Sequence, residues 1–151
     1  MTIAPVVKQI SVKAAPERAF QAFTANTGAW WPKTHTIGKA PFETVVLEPR
    51  VGGRWYERAA DGAETNWGKV LAWDPPRGVT LAWQISASWA YDPDLITELE
   101  LRFEGRDDGT TRVSLEHRHL ERLGANAAAV AEQLENGWAP IMQLFVEFVG
   151  A

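Results

Sequence analysis

Hydrophobic and polar residues alternate along most of this chain, and in a few places the alternation gives way to helical spacing. The plainest stretch is 95–104, where Leu99, Leu101 and Phe103 interleave with Glu98, Glu100, Arg102 and Glu104. A period of two puts the apolar set on one face of a strand and the charged set on the other. The same pattern predicts strands over 6–13, 42–48, 54–59, 64–73, 79–85 and 110–119. Turn chemistry separates several of them: Gly52-Gly53, Ala60-Asp61-Gly62, Asp74-Pro75-Pro76-Arg77-Gly78 and Asp107-Asp108-Gly109.

Helical spacing comes first after the opening strand. Pro16 suits a first helical turn and Glu17 complements the helix dipole, so a helix begins at 15–18 and stops near Asn26-Thr27-Gly28. Ala29-Trp30-Trp31-Pro32 reads as a second short helical turn. The last predicted helix, over 125–149, carries Val130, Leu134, Trp138, Ile141, Phe145 and Phe148 at steps of three or four. Gly137 and Pro140 interrupt it, so a kink or a break is expected near Trp138. Strand, two helices, six strands and a long helix make an α+β domain over 1–151: a curved antiparallel seven-stranded sheet covered by the final helix.

Composition adds exclusions. The net charge of −4 is spread over 15 basic and 19 acidic residues, with no basic run to track a phosphate backbone and no basic amphipathic face for a membrane surface. Neither nucleic acid nor membrane is therefore an expected partner. Cysteine is absent, which removes disulfides, thiolate zinc sites and cysteine nucleophiles together. No signal-like segment opens the chain, so the cytoplasm is the expected location. Eight tryptophans are the unusual entry, because large rings fill cores and also wall pockets for flat or greasy molecules.

Several motifs together resemble one family. Ala14-Ala15-Pro16-Glu17-Arg18-Ala19-Phe20, Trp30-Trp31, Val51-Gly52-Gly53-Arg54-Trp55-Tyr56, the run from Gly68 to Pro76 followed by Leu81-Ala82-Trp83, and Gly137-Trp138 with Leu144 and Phe145 occur in the family's order. They are similar to the helix-grip fold of the START and birch-pollen-allergen (SRPBCC) superfamily, and to its branch of activator of heat-shock-protein-90 ATPase homologues. The resemblance implies a cavity between sheet and long helix that takes an apolar, lipid-like or aromatic molecule, with no cofactor. It also implies two alternatives, a polyketide cyclase or aromatase and a co-chaperone-like interaction module.

Within that scaffold the expected lining is Trp83, Leu99, Leu101, Leu115, His117, Leu134, Trp138, Ile141 and Phe145. His117 is in phase with Val113 and Leu115, and His119 shares its face. The pair reads as an acid/base group at a cavity mouth, as two metal ligands, or as a strand end turning polar. His35 is the only other histidine, so no metal site is expected. Arg54, Tyr56, Arg58 and Gln84 are polar candidates whose direction depends on strand register. Trp89 and Tyr91 sit in a loop rich in breakers and read as a lid or as a homodimer contact. No G-x-G-x-x-G, G-x-x-x-x-G-K or G-x-S-x-G pattern occurs.

Overall fold

The computed structural model describes residues 2–150, so the first and last positions of the expected 1–151 domain lie outside it. Seven strands form one antiparallel sheet in the order β1-β7-β6-β5-β4-β3-β2. They are β1 (Val6–Val12), β2 (Phe42–Leu47), β3 (Arg54–Ala59), β4 (Glu64–Asp74), β5 (Gly78–Trp83), β6 (Thr97–Gly105) and β7 (Thr111–Arg118). Between β1 and β2 lie α1 (Pro16–Thr24) and α2 (Thr27–Trp30), and α3 (Ala127–Gly150) ends the chain. This is the α+β architecture that the alternation predicts, and the helix-grip fold that the resemblance implies.

Each strand keeps its apolar set on the inner face. Leu99, Leu101 and Phe103 of β6 are buried beside Val113 and Leu115 of β7 and Val79 and Leu81 of β5. On the outer face Arg118 bonds Glu98 and Glu100 at 3.0 and 2.7 Å, so the carboxylates of β6 belong to a solvated ion-pair surface.

Strand β4 carries two bulges. Trp55 pairs with Gly68 but Tyr56 with Asn66, which leaves Trp67 as an extra residue. A second slip falls between Val70 and Ala72. Bulges bend a strand and raise its twist, which bends the sheet toward α3. Gly68 permits the first bend, since a Cβ there would stand 1.7 Å from the Ala82 carbonyl oxygen.

The long helix answers one of the two alternatives expected near Trp138, the break. No break occurs at Gly137 or Pro140, and α3 runs through both. Pro140 and Asn136, whose carbonyl loses its helical donor, both face solvent, where water replaces the missing bond. Non-helical backbone lies earlier, at Gly124 (φ 90°, ψ −148°), inside the 3-10 segment Leu120–Asn126 that precedes α3. Val130, Leu134, Trp138, Ile141, Met142, Phe145 and Val149 form the buried stripe. One end of the interior is closed by α1 and α2, where Phe23 meets Phe145 at 5.6 Å and Trp30 meets Phe145 at 5.2 Å. No helix among the described residues is long and apolar enough to cross a membrane.

Candidate functional site

At the other end the sheet and α3 diverge around a cavity of about 330 Å³. Its walls come from the loop after α2 (Thr34, His35, Thr36, Ile37), from Trp31, Trp67, Trp83, Ile85 and Trp89, and from Gln133, Leu134, Gly137, Trp138 and Ile141 of α3. Five indoles form a closed ring here. Centroid distances run 5.1 Å from Trp31 to Trp67, 5.4 Å to Trp55, 5.8 Å to Trp83, 5.7 Å to Trp138 and 6.0 Å back to Trp31. All five contacts are tilted or edge-to-face, the arrangement the ring quadrupoles favour. Four of the five line the cavity, and Trp55 completes the ring without lining it.

Three wall indoles are fixed by bonds from their ring nitrogens. Trp31 Nε1 donates to the His35 carbonyl at 2.9 Å, Trp67 Nε1 to Glu57 Oε1 at 2.8 Å and Trp138 Nε1 to His117 Nδ1 at 3.3 Å. None of these three acceptors is a wall tryptophan, so the rings are held from outside the ring while apolar surface faces the cavity.

Of the nine residues expected to line a pocket, Trp83, Leu134, Trp138 and Ile141 do so. Leu99, Leu101, Leu115, His117 and Phe145 are fully buried but belong to the packed interior beneath that wall. His117 is the most informative of these. Its Nδ1 accepts from Trp138, so the proton sits on Nε2, which donates to Thr97 Oγ1 at 2.9 Å. Thr97 in turn donates to the Trp83 carbonyl at 3.2 Å. Burial pushes the imidazole down to about 3, and its neutral form satisfies every partner. His117 thus holds Trp138 from behind.

His119 does not join it. The strand ends at Arg118, and His119 adopts a left-handed conformation (φ 63°) that turns the chain into the 3-10 segment. Its ring lies near Glu98 and Glu121 at 3.7 and 3.8 Å on the half-exposed surface. Among the described residues no group of three or more metal-ligating side chains stands together.

The polar candidates also sort themselves. Arg54 lies over the Tyr56 ring at 4.0 Å and reaches Asn66 and Glu64, and Arg58 pairs with Glu43. Gln84 is buried and donates to the Pro93 carbonyl. The inward-facing charged residue of β3 is instead Glu57, 1% exposed. Its Oε1 accepts from the Ile37 amide at 2.7 Å and from Trp67 Nε1 at 2.8 Å, whereas Oε2 has no partner. Sequence reasoning passed over Glu57 and Trp67. The available signal was the run Trp55, Glu57, Ala59, in which an acid occupies an inward position of a period-two pattern.

Trp89 stands at the cavity mouth, half-exposed, with a left-handed backbone (φ 60°). It tips a hairpin closed by bonds from Ser86 to Ala90 and from Asp92 to Gln84. Tyr91 is exposed on the same hairpin, outside the cavity wall.

Comparison with known proteins places this geometry in a family. The model for "Activator of Hsp90 ATPase homolog 1-like protein" matches residues 13–150. A solved anthrahydroquino-gamma-pyrone synthase, Txn09, complexed with SUM, is 36% identical, with 97% of each chain covered and a TM-score of 0.68. CalC, a self-sacrificing resistance protein from Micromonospora echinospora, is 30% identical over 98% of this chain and 97% of its own, with a TM-score of 0.73. The Aha1 dimer from Colwellia psychrerythraea, 19% identical, shares the fold at a TM-score of 0.65, with 97% of this chain and 96% of that chain covered. No curated protein matches. With its sheet, long helix and nearly its whole length accounted for, the chain belongs to the activator of Hsp90 ATPase homolog 1-like family, a branch of the SRPBCC superfamily.

Proposed function

We propose that the protein binds a flat aromatic, polyketide-like molecule in the tryptophan-walled cavity. One observation carries this reading: four indoles of a closed five-member ring border the same cavity, and hydrogen bonds from their ring nitrogens fix three of them. Rigid aromatic walls lose little entropy on binding and contact a planar guest over a wide area. The volume lies at the small end of the roughly 300–1,000 Å³ typical of ligand pockets, which suits a compact polycycle better than a long acyl chain. Each Å² of apolar ligand surface removed from water contributes about 25 cal/mol. The likeness to a synthase of an anthrahydroquino-gamma-pyrone and to a resistance protein supports the same ligand class.

The test is native mass spectrometry of freshly purified protein, followed by tryptophan fluorescence and melting temperature against a panel of planar aromatics and fatty acids. A co-purified aromatic, or a melting shift with planar aromatics alone, is the expected result. Silence across the whole panel removes the reading.

The 36% identity to a synthase favours one second reading, ring closure of a bound polyketide. His117 is a poor acid/base for it, because both ring nitrogens are occupied and the imidazole stays neutral down to about pH 3. Under this reading the cavity acts mainly by holding reactive ends together, and turnover persists in His117→Gln.

A further inference from the structure

Glu57 is the one buried residue with a formal charge among the described residues; the other buried polar side chains are threonines, a glutamine and the neutral His117. A buried carboxylate needs partners for both oxygens, and a glutamine of the same shape would accept the same two N–H bonds without carrying charge. Glu57 leaves Oε2 unbonded and away from solvent.

Its position explains what that oxygen is for. Both groups that bond Oε1 belong to residues of the cavity wall, Ile37 and Trp67, so the carboxylate stands one layer behind their junction. The cover over Oε2 is thin. A Cβ at Gly38 would stand 2.7 Å from it, so only backbone fits there. Among the described residues, 36–40 makes no backbone–backbone hydrogen bond. Its one bond to the site is the Ile37 amide on Oε1, so a small shift of this segment about that bond opens a path from the cavity to the free carboxylate oxygen.

Resting on the aromatic-ligand reading above, we propose that Glu57 is the polar anchor of the cavity. Its Oε2 accepts a hydrogen bond from an N–H or O–H at one edge of the planar ligand, between Ile37 and Trp67. The ligand class narrows to polycycles with an exposed edge donor, such as an arylamine or a phenol. Glu57 then sets specificity, since a guest without the donor leaves a buried charge unpaired.

Two near-isosteric probes test this, 2-aminoanthraquinone and 2-methylanthraquinone. An arylamine donates hydrogen bonds but accepts them poorly, so an amide at position 57 cannot imitate the carboxylate toward it. Affinities come from tryptophan quenching in wild type, Glu57→Gln and Gly38→Ala, with a melting curve on each variant to verify folding. Wild type is expected to prefer the amine about ten-fold. Glu57→Gln keeps the Oε1 bonds, melts at or above wild type, and brings the preference to within two-fold while leaving the methyl compound's affinity in place. Gly38→Ala, whose methyl blocks Oε2, does the same with Glu57 untouched. Equal binding of the two probes by wild type, or a preference surviving in either folded variant, overturns the anchor and leaves aromatic binding standing. Failure of wild type to bind either probe overturns the aromatic-ligand reading itself, and the anchor with it.

Discussion

Two buried polar groups behind the tryptophan wall, His117 and Glu57, are treated differently. Around His117 every polar atom is paired: Trp138 to His117, His117 to Thr97 and Thr97 to the Trp83 carbonyl. Toward the mouth, a cavity of about 330 Å³ has a tryptophan in a left-handed conformation in its wall, and behind that wall a carboxylate with one unpaired oxygen. Trp83 and Trp138 stand against His117 on one side and line the cavity on the other. A completed network rigidifies a core, whereas an incomplete one beside open volume leaves free energy for a guest to recover. The buried histidine, the more eye-catching residue in the sequence, is thus structural, and the neglected acid is the better site candidate.

If this division is right, substitutions at the closed end cost stability and those at the open end cost binding. The largest expected effect is at Phe145, fully buried between Phe23 and Trp30. Phe145→Ala should lose about 3–5 kcal/mol in urea unfolding. A loss under about 1 kcal/mol would mean the closed end is loosely packed and the contrast is false.

The second effect depends on pH. His117 has a folded value of about 3 against 6.5 in the unfolded chain. Below pH 6.5 the unfolded chain takes up a proton that the folded one refuses, so this contribution is complete above 6.5 and lost as pH falls toward 3. The slope is about 1.4 kcal/mol per pH unit. Burial alone would raise the Glu100 carboxyl, but hydrogen bonds from Arg102 and Arg118 outweigh it and hold the group below its usual value. Glu100 therefore loses its contribution only at lower pH. Urea melts at pH 6 and pH 5 isolate the histidine, and the slope between them should flatten in His117→Gln. An unchanged slope places the responsible group elsewhere.

The inner face of the sheet and the buried stripe of α3 were largely legible in the sequence because they are made of regular periods. Leu99, Leu101, Val113 and Leu115 alternate, and Leu134, Trp138, Ile141 and Phe145 step by three or four, so fold and inner face follow from spacing. The mouth is assembled from irregular pieces. Trp67 is the extra residue of a bulge, where a period of two breaks down, and Glu57 reads as an ordinary strand acid until its partners are known. One of those partners is the amide of Ile37, a backbone group in a loop, which no side-chain pattern announces. The continuous α3 was obscured for a related reason. A proline inside a helix costs less when the carbonyl it strands is solvated, and Asn136 faces water.

Smaller effects belong to the open end. Ile141→Phe adds volume on the cavity side, so stability should stay within about 1.5 kcal/mol of wild type while the melting shift with planar aromatics disappears. A variant that still responds to ligand would move the guest away from α3.

Trp89→Gly should give the smallest change in stability and the cleanest division between the two ends. A non-glycine residue at φ 60° carries roughly 1 kcal/mol of backbone strain, which glycine relieves. Glycine also enlarges the unfolded ensemble by a similar amount, and the ring it removes is 41% exposed and so little used in packing. These terms oppose one another, and unfolding free energy should move by less than about 1 kcal/mol. Binding should change more, because the ring stands at the mouth through which a ligand must leave. Dissociation of a planar aromatic, followed by stopped-flow fluorescence, is expected to be several-fold faster with association little altered. Should Trp89→Gly instead cost more than about 2 kcal/mol and leave dissociation unchanged, Trp89 belongs to the packed core, and the boundary between the two ends lies farther out than the cavity wall.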